Sequence, residues 1–381
     1  YRAEVSHPGF RREVRTGLAL GAGRTARQDF RLQMGEVREA VAVVAETPLL
    51  STSSANWGGS VEKVQLDQLP LKGRDLFDLA MMQPGVQLAT TAPRAMPLGL
   101  SLPIAADGMR PNMNSFRLDG LTINDATGSA PASAGGRLLG LETVEELHFV
   151  SSPFSAEYGW AAGAVVTAVS RSGGNLFHGG LYYYLRNSAL DAKNFFDSPT
   201  EKIPPLRKNH FGGLFSGPLS RNRLFYLANI EVIRENTSRT FRPVTLSNDA
   251  RKGILPAPGG SAVIPIDPSV RPYLQLYPLP NGRDFGDGSA ELITETLTNT
   301  REHFASGKVD FLATEKLRLT GRYTFDDGGT SALEYFHIWN LTSVSRYQFA
   351  HAGLEHVMSP RTLQELRFGF SRVYNEEGFT E

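Results

Sequence analysis

Three places in the chain carry residue types that could do chemistry, and each fails on spacing. "GAGRTA", Gly21 to Ala26, imitates the glycine-rich dinucleotide fingerprint. That motif must follow a strand, open a helix and meet an acidic residue about 20 positions on. Here Gln28 to Leu32 alternate like a strand, so no helix N-terminus is available to hold a pyrophosphate, and the segment reads as a turn. The chain has 8 histidines, none in the His-Glu-x-x-His pattern of a zinc site. His351 and His356 lie in a strand-like segment with a spacing that puts them on opposite faces. "NGRDFGDGSAE", Asn281 to Glu291, gathers Asp284, Asp287 and Glu291 around glycines, but the ligand spacing of the helix-loop-helix calcium motif is absent. It reads as a solvated loop. No Gly-x-Ser-x-Gly elbow exists, and no carboxylate pair has a claim to acid/base work. With 0 cysteines, thiolate metal sites, disulfides and cysteine nucleophiles are excluded. The expectation is no metal, no cofactor and no enzyme.

The elements behind these residues are those of a turn-rich β protein. The 381 residues allow two or three domains. The 39 basic and 39 acidic residues cancel, so bulk charge draws the chain to no nucleic acid. Charged residues make up 20% and glycines number 38, a tilt toward strands and turns. No apolar run approaches the roughly 18 residues of a membrane-spanning helix; barrel strands need only about 9–11. Residues 1–34 read as short strands ("YRAEVSHPGF", "RTGLALGAG", "ARQDFRLQM"), too few to bury a core alone. In "GEVREAVAVVAE", residues 35–46, the helical propensity of Ala and Glu competes with four valines, and an extended linker is expected. Further on, Leu76, Leu79 and Ala80 fall at i, i+3 and i+4 before Pro84-Gly85, which predicts a short amphipathic helix. "NSFRLDGLTIN" predicts a hairpin about Asp119-Gly120. "LETVEELHFVSS" predicts a helical turn running into a strand, and "GAVVTAVSRSGG" another strand.

From about residue 175 the texture becomes long alternating strands. In "EKLRLTGRYTFDD", Leu317, Leu319, Gly321, Tyr323 and Phe325 share one face, and Lys316, Arg318, Thr320, Arg322 and Thr324 the other. "RLFYLANIEVI" and "LQELRFGFSRVY" repeat the pattern; "FHGGLYYYLRN" and "KNHFGGLFSGP" are further candidates. A loop of about seventy residues, Arg234 to His303, is expected between two of them, longer than compact soluble domains use. Two geometries fit. A soluble sheet turns its charged face to water, whereas a membrane barrel turns its apolar face to lipid and its charged face to a wet lumen. Alternation alone favours the soluble sheet on frequency and leaves both open.

Specific strings decide between them. "DGMRPNMNSFRLDGLTINDATG", "LETVEELHFVSSPFSAEYGWAAGAVVTAVSRSGGNLFHGGLYYYLRNSALDAKNFFD" and "PPLRKNHFGGLFSGPLSRNRLFYLANIEVIRE", continued by "LYPLPN" and "KVDFLATEKLRLTGRYTFDD", resemble in order the Oar-like TonB-dependent receptors. The likeness covers about three quarters of the chain. It implies a mainly β architecture: a small α+β plug domain followed by an incomplete antiparallel transmembrane β-barrel, preceded by the remnant of a β-sandwich. Residues 1–34 would be the C-terminal part of a carboxypeptidase-regulatory-like β-sandwich and 35–47 a linker with a TonB-box-like segment. Residues 48–174 would be the plug, and 175–381 the N-terminal strands of a barrel that has twenty-two in this family.

The resemblance also assigns residues. Glu39, Ala40, Val41, Ala42, Val43, Val44 and Ala45 stand where such receptors carry the TonB box. That segment must be β-prone and unpaired, because a coupling protein would engage it by strand addition. Arg110, Asn112, Asn114, Arg117, Asp119, Gly120, Glu157, Tyr158, Gly159 and Gly163 form the plug signature. Arg110, Arg117, Asp119, Glu157 and Arg171 are candidates to pair with lumen charges such as Arg318, Arg322 or Glu231. The small residues Ala161, Ala162, Gly163 and Ala164 suit close strand packing. The expected role is energy-coupled uptake of an unidentified ligand across the Gram-negative outer membrane, with a TonB-type energy-coupling protein, an extracellular ligand and outer-membrane lipid as partners and no nucleic acid. The alternatives are an outer-membrane adhesin or sensor on the same scaffold, or a soluble all-β carbohydrate-binding module. Seven or so strands cannot close a twenty-two-stranded barrel, and an open edge in lipid leaves backbone groups unpaired, so the chain is expected to be part of a larger product.

Overall fold

The structure is a computed structural model that describes residues 2–18, 28–35, 40–44, 57–62, 79–88, 104–125, 133–134, 140–151, 159, 161–193, 202–334 and 336–380. The glycine turn at Gly21–Ala26 lies outside them. The chain divides into two units: Tyr1–Ala89, Ile104–Gly128 and Val144–Arg171 form the first, and Thr90–Pro103, Ser129–Thr143 and Ser172–Glu381 the second.

The first unit opens with strands β1 (Ala3–Val5), β2 (Arg12–Thr16) and β3 (Ala40–Val44), joined in that order. β1 and β2 are antiparallel, and β3 runs parallel to β2. The segment expected to run unpaired therefore has one edge bonded. The cause is the property that suggested its role: a valine-rich, β-prone stretch will add to any available strand edge, and β2 offers one.

β4 (Trp57–Glu62) follows, then the short pair β5 (Val86–Leu88) and β6 (Ile104–Ala106). Leu79 and Ala80 are helical and fully buried, as the predicted amphipathic helix requires; Leu76 lies outside the described residues. β7 (Ser115–Leu118) and β8 (Leu121–Thr122) form the expected hairpin. Asp119 at φ 51° and Gly120 at φ 81° make its two-residue turn, the left-handed geometry that Asp-Gly tolerates. A 3-10 turn at Leu141–Thr143 leads into β9 (Val144–Ser151), and β10 (Val165–Ser170) completes a sheet of order β4-β9-β10-β7-β8. β10 is central, antiparallel to β9 and parallel to β7. Its neighbours Val165 and Val166 face opposite ways and are both buried, which explains a continuous apolar run where alternation would otherwise appear.

In the second unit β11 (His178–Asn187), β12 (Leu206–Ser220) and β13 (Leu224–Phe241) pair antiparallel in sequence order. A folded excursion follows, with β14 (Val244–Leu246) paired to β17 (Ser289–Glu291), β15 (Ile254–Ala257) paired to β16 (Gly260–Val263), and a helix at Arg271–Leu276. β18 (Thr294–Thr314), β19 (Leu317–Leu333), β20 (Asn340–Ser359) and β21 (Thr362–Thr380) complete a seven-stranded antiparallel sheet. The expected loop Arg234 to His303 is thus too long. Arg234 pairs with Arg301, and Val232 with His303, inside the ladder. The strands continue past their apolar stretch, because beyond the hydrocarbon neither face need be apolar. β18 has 21 residues and β20 has 20, about twice what a bilayer crossing needs.

The faces of this sheet are inverted relative to a soluble sheet. Leu181 (79% exposed), Ile230 (62%), Tyr323 and Phe368 stand outward. Lys208, Glu231, Glu302 (0%), Lys308, Asp310, Arg322 and Asp326 are buried on the other side. Among the described residues no second sheet covers the apolar side. The soluble-module alternative required one.

Candidate functional site

Part of the set expected as a plug signature falls in a hydrogen-bonded junction where the chain passes between β7 and β10. Asn114 is buried at the end of a 3-10 turn (Pro111–Met113) and serves three partners with its side chain. Its Nδ2 donates to the carbonyls of Ile104 (2.7 Å) and Pro111 (3.2 Å), and its Oδ1 accepts from the Ala164 N–H (2.8 Å). Asn124 repeats the device one strand on: its Nδ2 donates to the Asn114 carbonyl, and its Oδ1 accepts from the Phe116 N–H. Both asparagines supply bonds that a parallel pairing without a tight connection would leave unmade. The Met113 carbonyl accepts from the N–H groups of Ala162 and Gly163. A Cβ at Gly163 would lie 2.3 Å from Asn114 Oδ1, so glycine there is a packing requirement. That supports reading the small residues at 161–164 as close strand packing.

Asp119 closes the far end of the junction. Its Oδ1 accepts from the Ser170 N–H (2.8 Å) and its Oδ2 from the Ser170 hydroxyl (2.7 Å). Arg117 donates to the Gly159 carbonyl (3.2 Å), and Arg171 lies 3.6 Å from Glu145. Arg110, Asn112 and Gly120 are exposed. Glu157 and Tyr158 lie outside the described residues, as do Glu39 and Ala45. Asn114, Arg117, Asp119, Gly159 and Gly163 therefore come together. Asn124 was not singled out from sequence, although its spacing from Asn114 inside "NSFRLDGLTIN" was the available signal.

The buried polar face of the seven-stranded sheet carries its own network. Glu231 accepts from Asn229 Nδ2 (2.8 Å) and meets His210 Nε2 at 3.2 Å. Asp310 accepts from Arg318 (2.8 Å) and from the Thr320 hydroxyl (2.9 Å). Ser133 and Ala134 lie against the same face. The Ala134 N–H donates to Ser345 Oγ (2.6 Å), and the Thr330 hydroxyl donates to the Ala134 carbonyl (3.0 Å). Gly140, at φ 96°, sits where a Cβ would come within 2.6 Å of the Phe304 ring. A water-lined channel with fixed polar contacts needs such a face.

The acidic loop considered for calcium uses its carboxylates internally. Asp284 accepts from the Gly286 N–H, Asp287 from the N–H and hydroxyl of Ser289, and Glu291 lies 3.3 Å from Arg242. Among the described residues no cluster of three metal-ligating side chains is present. The Ser289 hydroxyl, and then its N–H, hold the Asp287 carboxyl below its ordinary value. A carboxyl so lowered contributes stability that is present above its ordinary pKa and lost as pH falls through the lowered one. Ser289→Ala, which keeps only the backbone bond, is expected to move the Asp287 pKa part of the way back up. Carboxyl NMR titration checks this.

A family model described as an outer membrane beta barrel domain matches residues 169–381. The TonB-dependent transporter Oar of Myxococcus xanthus is 25% identical over 232 residues, covering 58% of this chain and 20% of that protein. Among solved structures, the outer membrane transporter YddB from Escherichia coli matches 87% of this chain and 46% of its own, at 12% identity and a TM-score of 0.45. The siderophore receptor PirA from Acinetobacter baumannii matches 85% of this chain and 45% of its own, at 17% identity and a TM-score of 0.44. The chain thus spans a fifth of the curated relative's length and under half of these solved chains.

Proposed function

The chain belongs to the outer membrane β-barrel domain family, and from that premise we propose that it forms the plug and first wall strands of a TonB-dependent receptor for energy-coupled uptake. The observation that carries the reading is the sheet with inverted faces. Its apolar residues stand outward, its ionic residues are buried, and Ala134 is held against the ionic side. In this reading residues 48–174 act as the plug and 175–381 as wall, with 1–34 an accessory sheet preceding the coupling segment. A ligand enters from outside and contacts the plug apex and the excursions beyond the strands. Its binding biases the plug, and a TonB-type coupling protein drawn by the proton-motive force engages residues 39–45 through main-chain hydrogen bonds. No covalent step is involved; the chain's work is to hold, release and re-form the hydrogen-bonded junctions described above.

Deleting residues 39–45 is expected to abolish capture of the protein by the periplasmic domain of a TonB-type coupling protein, with its level in the outer membrane unchanged. Co-purification from solubilised outer membranes reads this directly. Undiminished capture would remove energy coupling from the reading and leave an adhesin or sensor on the same scaffold.

A further inference from the structure

Among the described residues, β3 is paired along one edge only. Its five residues run in register beside β2, from Arg12 opposite Ala40 to Thr16 opposite Val44, and the order β1-β2-β3 leaves it at the sheet edge among the described residues. In an extended strand the N–H and C=O groups of alternate residues point to opposite edges. While one set bonds β2, the other set of Ala40–Val44 points away as a template for another strand. The base beneath it is cross-linked. Arg12 bridges Glu4 of β1 at 3.1 Å, Arg15 bridges Glu13 at 2.9 Å, and the Arg15 guanidinium also bonds Gln28 and lies 4.5 Å over the Phe30 ring. Val14, at the centre of β2, is buried.

We infer that the coupling protein adds its strand to the open edge of β3 while β3 remains bonded to β2, so that the docking surface is the sheet β1-β2-β3 and not a released peptide. The inference rests on the reading of residues 39–45 given above. Its physical advantage is preorganisation: a strand already held extended costs no further ordering when its second edge is filled, whereas a free linker must be ordered at the moment of binding. The partner it fits is an extended, edge-exposed strand recognised by main-chain bonds, in a register set by β3.

The chain has no cysteine, so a designed disulfide forms without competition. Paired Cα atoms of adjacent strands lie about 4.8 Å apart, inside the roughly 4.4–6.8 Å span of a disulfide. The double variant Thr16→Cys, Val44→Cys fastens β3 to β2. It is expected to capture the periplasmic domain of the coupling protein equally well with and without reductant. Loss of capture that reductant restores would overturn the inference and show that β3 must leave β2, while the assignment of residues 39–45 stands. Loss of capture together with a shift to a dimer would give the edge to a second copy and also overturn it. Arg15→Pro supplies an independent measurement, because it breaks β2 one residue from its centre. Capture should weaken by roughly tenfold if β2 preorganises the edge, and tighten if β2 merely sequesters it. Capture that survives deletion of residues 39–45 would instead defeat the underlying assignment, and the inference with it.

Discussion

Ile230→Arg is expected to destabilise the membrane-inserted protein by about 2–4 kcal/mol, the cost of a cation on the lipid face near the bilayer midplane. Ile230 stands outward on β13, six residues in from the short turn that joins β12 to β13, and is 62% exposed. At about 3.3 Å of rise per residue it falls near the middle of a bilayer crossing. Leu297 on β18 faces the same way but pairs with Ser238, well beyond that span. Leu297→Arg should therefore cost only about 0–1 kcal/mol, the value near the interface. Urea titration of both variants in lipid vesicles measures the contrast. Equal, near-zero effects at the two positions would mean that water, not hydrocarbon, covers the apolar face, and the barrel assignment would fall.

Asn114→Leu is expected to loosen the sheet that carries β7 and β10, the proposed plug, by about 2–6 kcal/mol. The substitution conserves bulk but leaves the Ala164 N–H and the Ile104 carbonyl without the partners they now have, at about 1–3 kcal/mol each. Against a domain stability of about 5–15 kcal/mol that is enough to open the junction between β7 and β10 frequently. Limited proteolysis should then cut within residues 104–170 in the variant under conditions that leave the parent intact. Asn112→Leu is the control. Asn112 belongs to the same signature string, yet it is exposed, and a surface change of this kind usually stays within about 0.5 kcal/mol. If both variants resist protease equally, the hydrogen bonds of Asn114 do not hold the junction.

The contrast between those two asparagines marks what the sequence could disclose. Features set by neighbouring residues were legible. The Asp119-Gly120 turn follows from backbone preference alone, and β11, β12, β13, β19 and β21 from strict alternation. β18 is not legible as a strand, and of β20 only the segment around His351 and His356 reads as strand-like. In β18 the outward residues Asn299, Arg301 and His303 are polar because this part of the strand has left the hydrocarbon, so the period-two signal disappears halfway along. Arg234 and His303 meet there across the ladder at 2.7 Å, a contact between residues that looked like the two ends of one loop. The parallel bond between β2 and β3 was equally hidden, since a valine-rich segment shows its appetite for an edge but not which edge it finds. Asn114 could be flagged by its string, but nothing local says that its side chain serves Ile104 on one side and Ala164 on the other. The inward carboxylates were legible as one face of a strand; that Glu231 meets His210 required the cross-strand register.

Ala134 is gripped entirely through its main chain, with amide and carbonyl taken by the hydroxyls of Ser345 and Thr330. Such a clasp is blind to the side chain it holds. Variation at position 134 should be forgiven so long as it fits, and the burden of fidelity shifts to two small alcohols on β20 and β19. A clasp of this kind also parts without exposing an ion. Each hydroxyl would turn to water if the segment left, as the proposed uptake requires, so detachment would leave no stranded charge and re-attachment would need no proton.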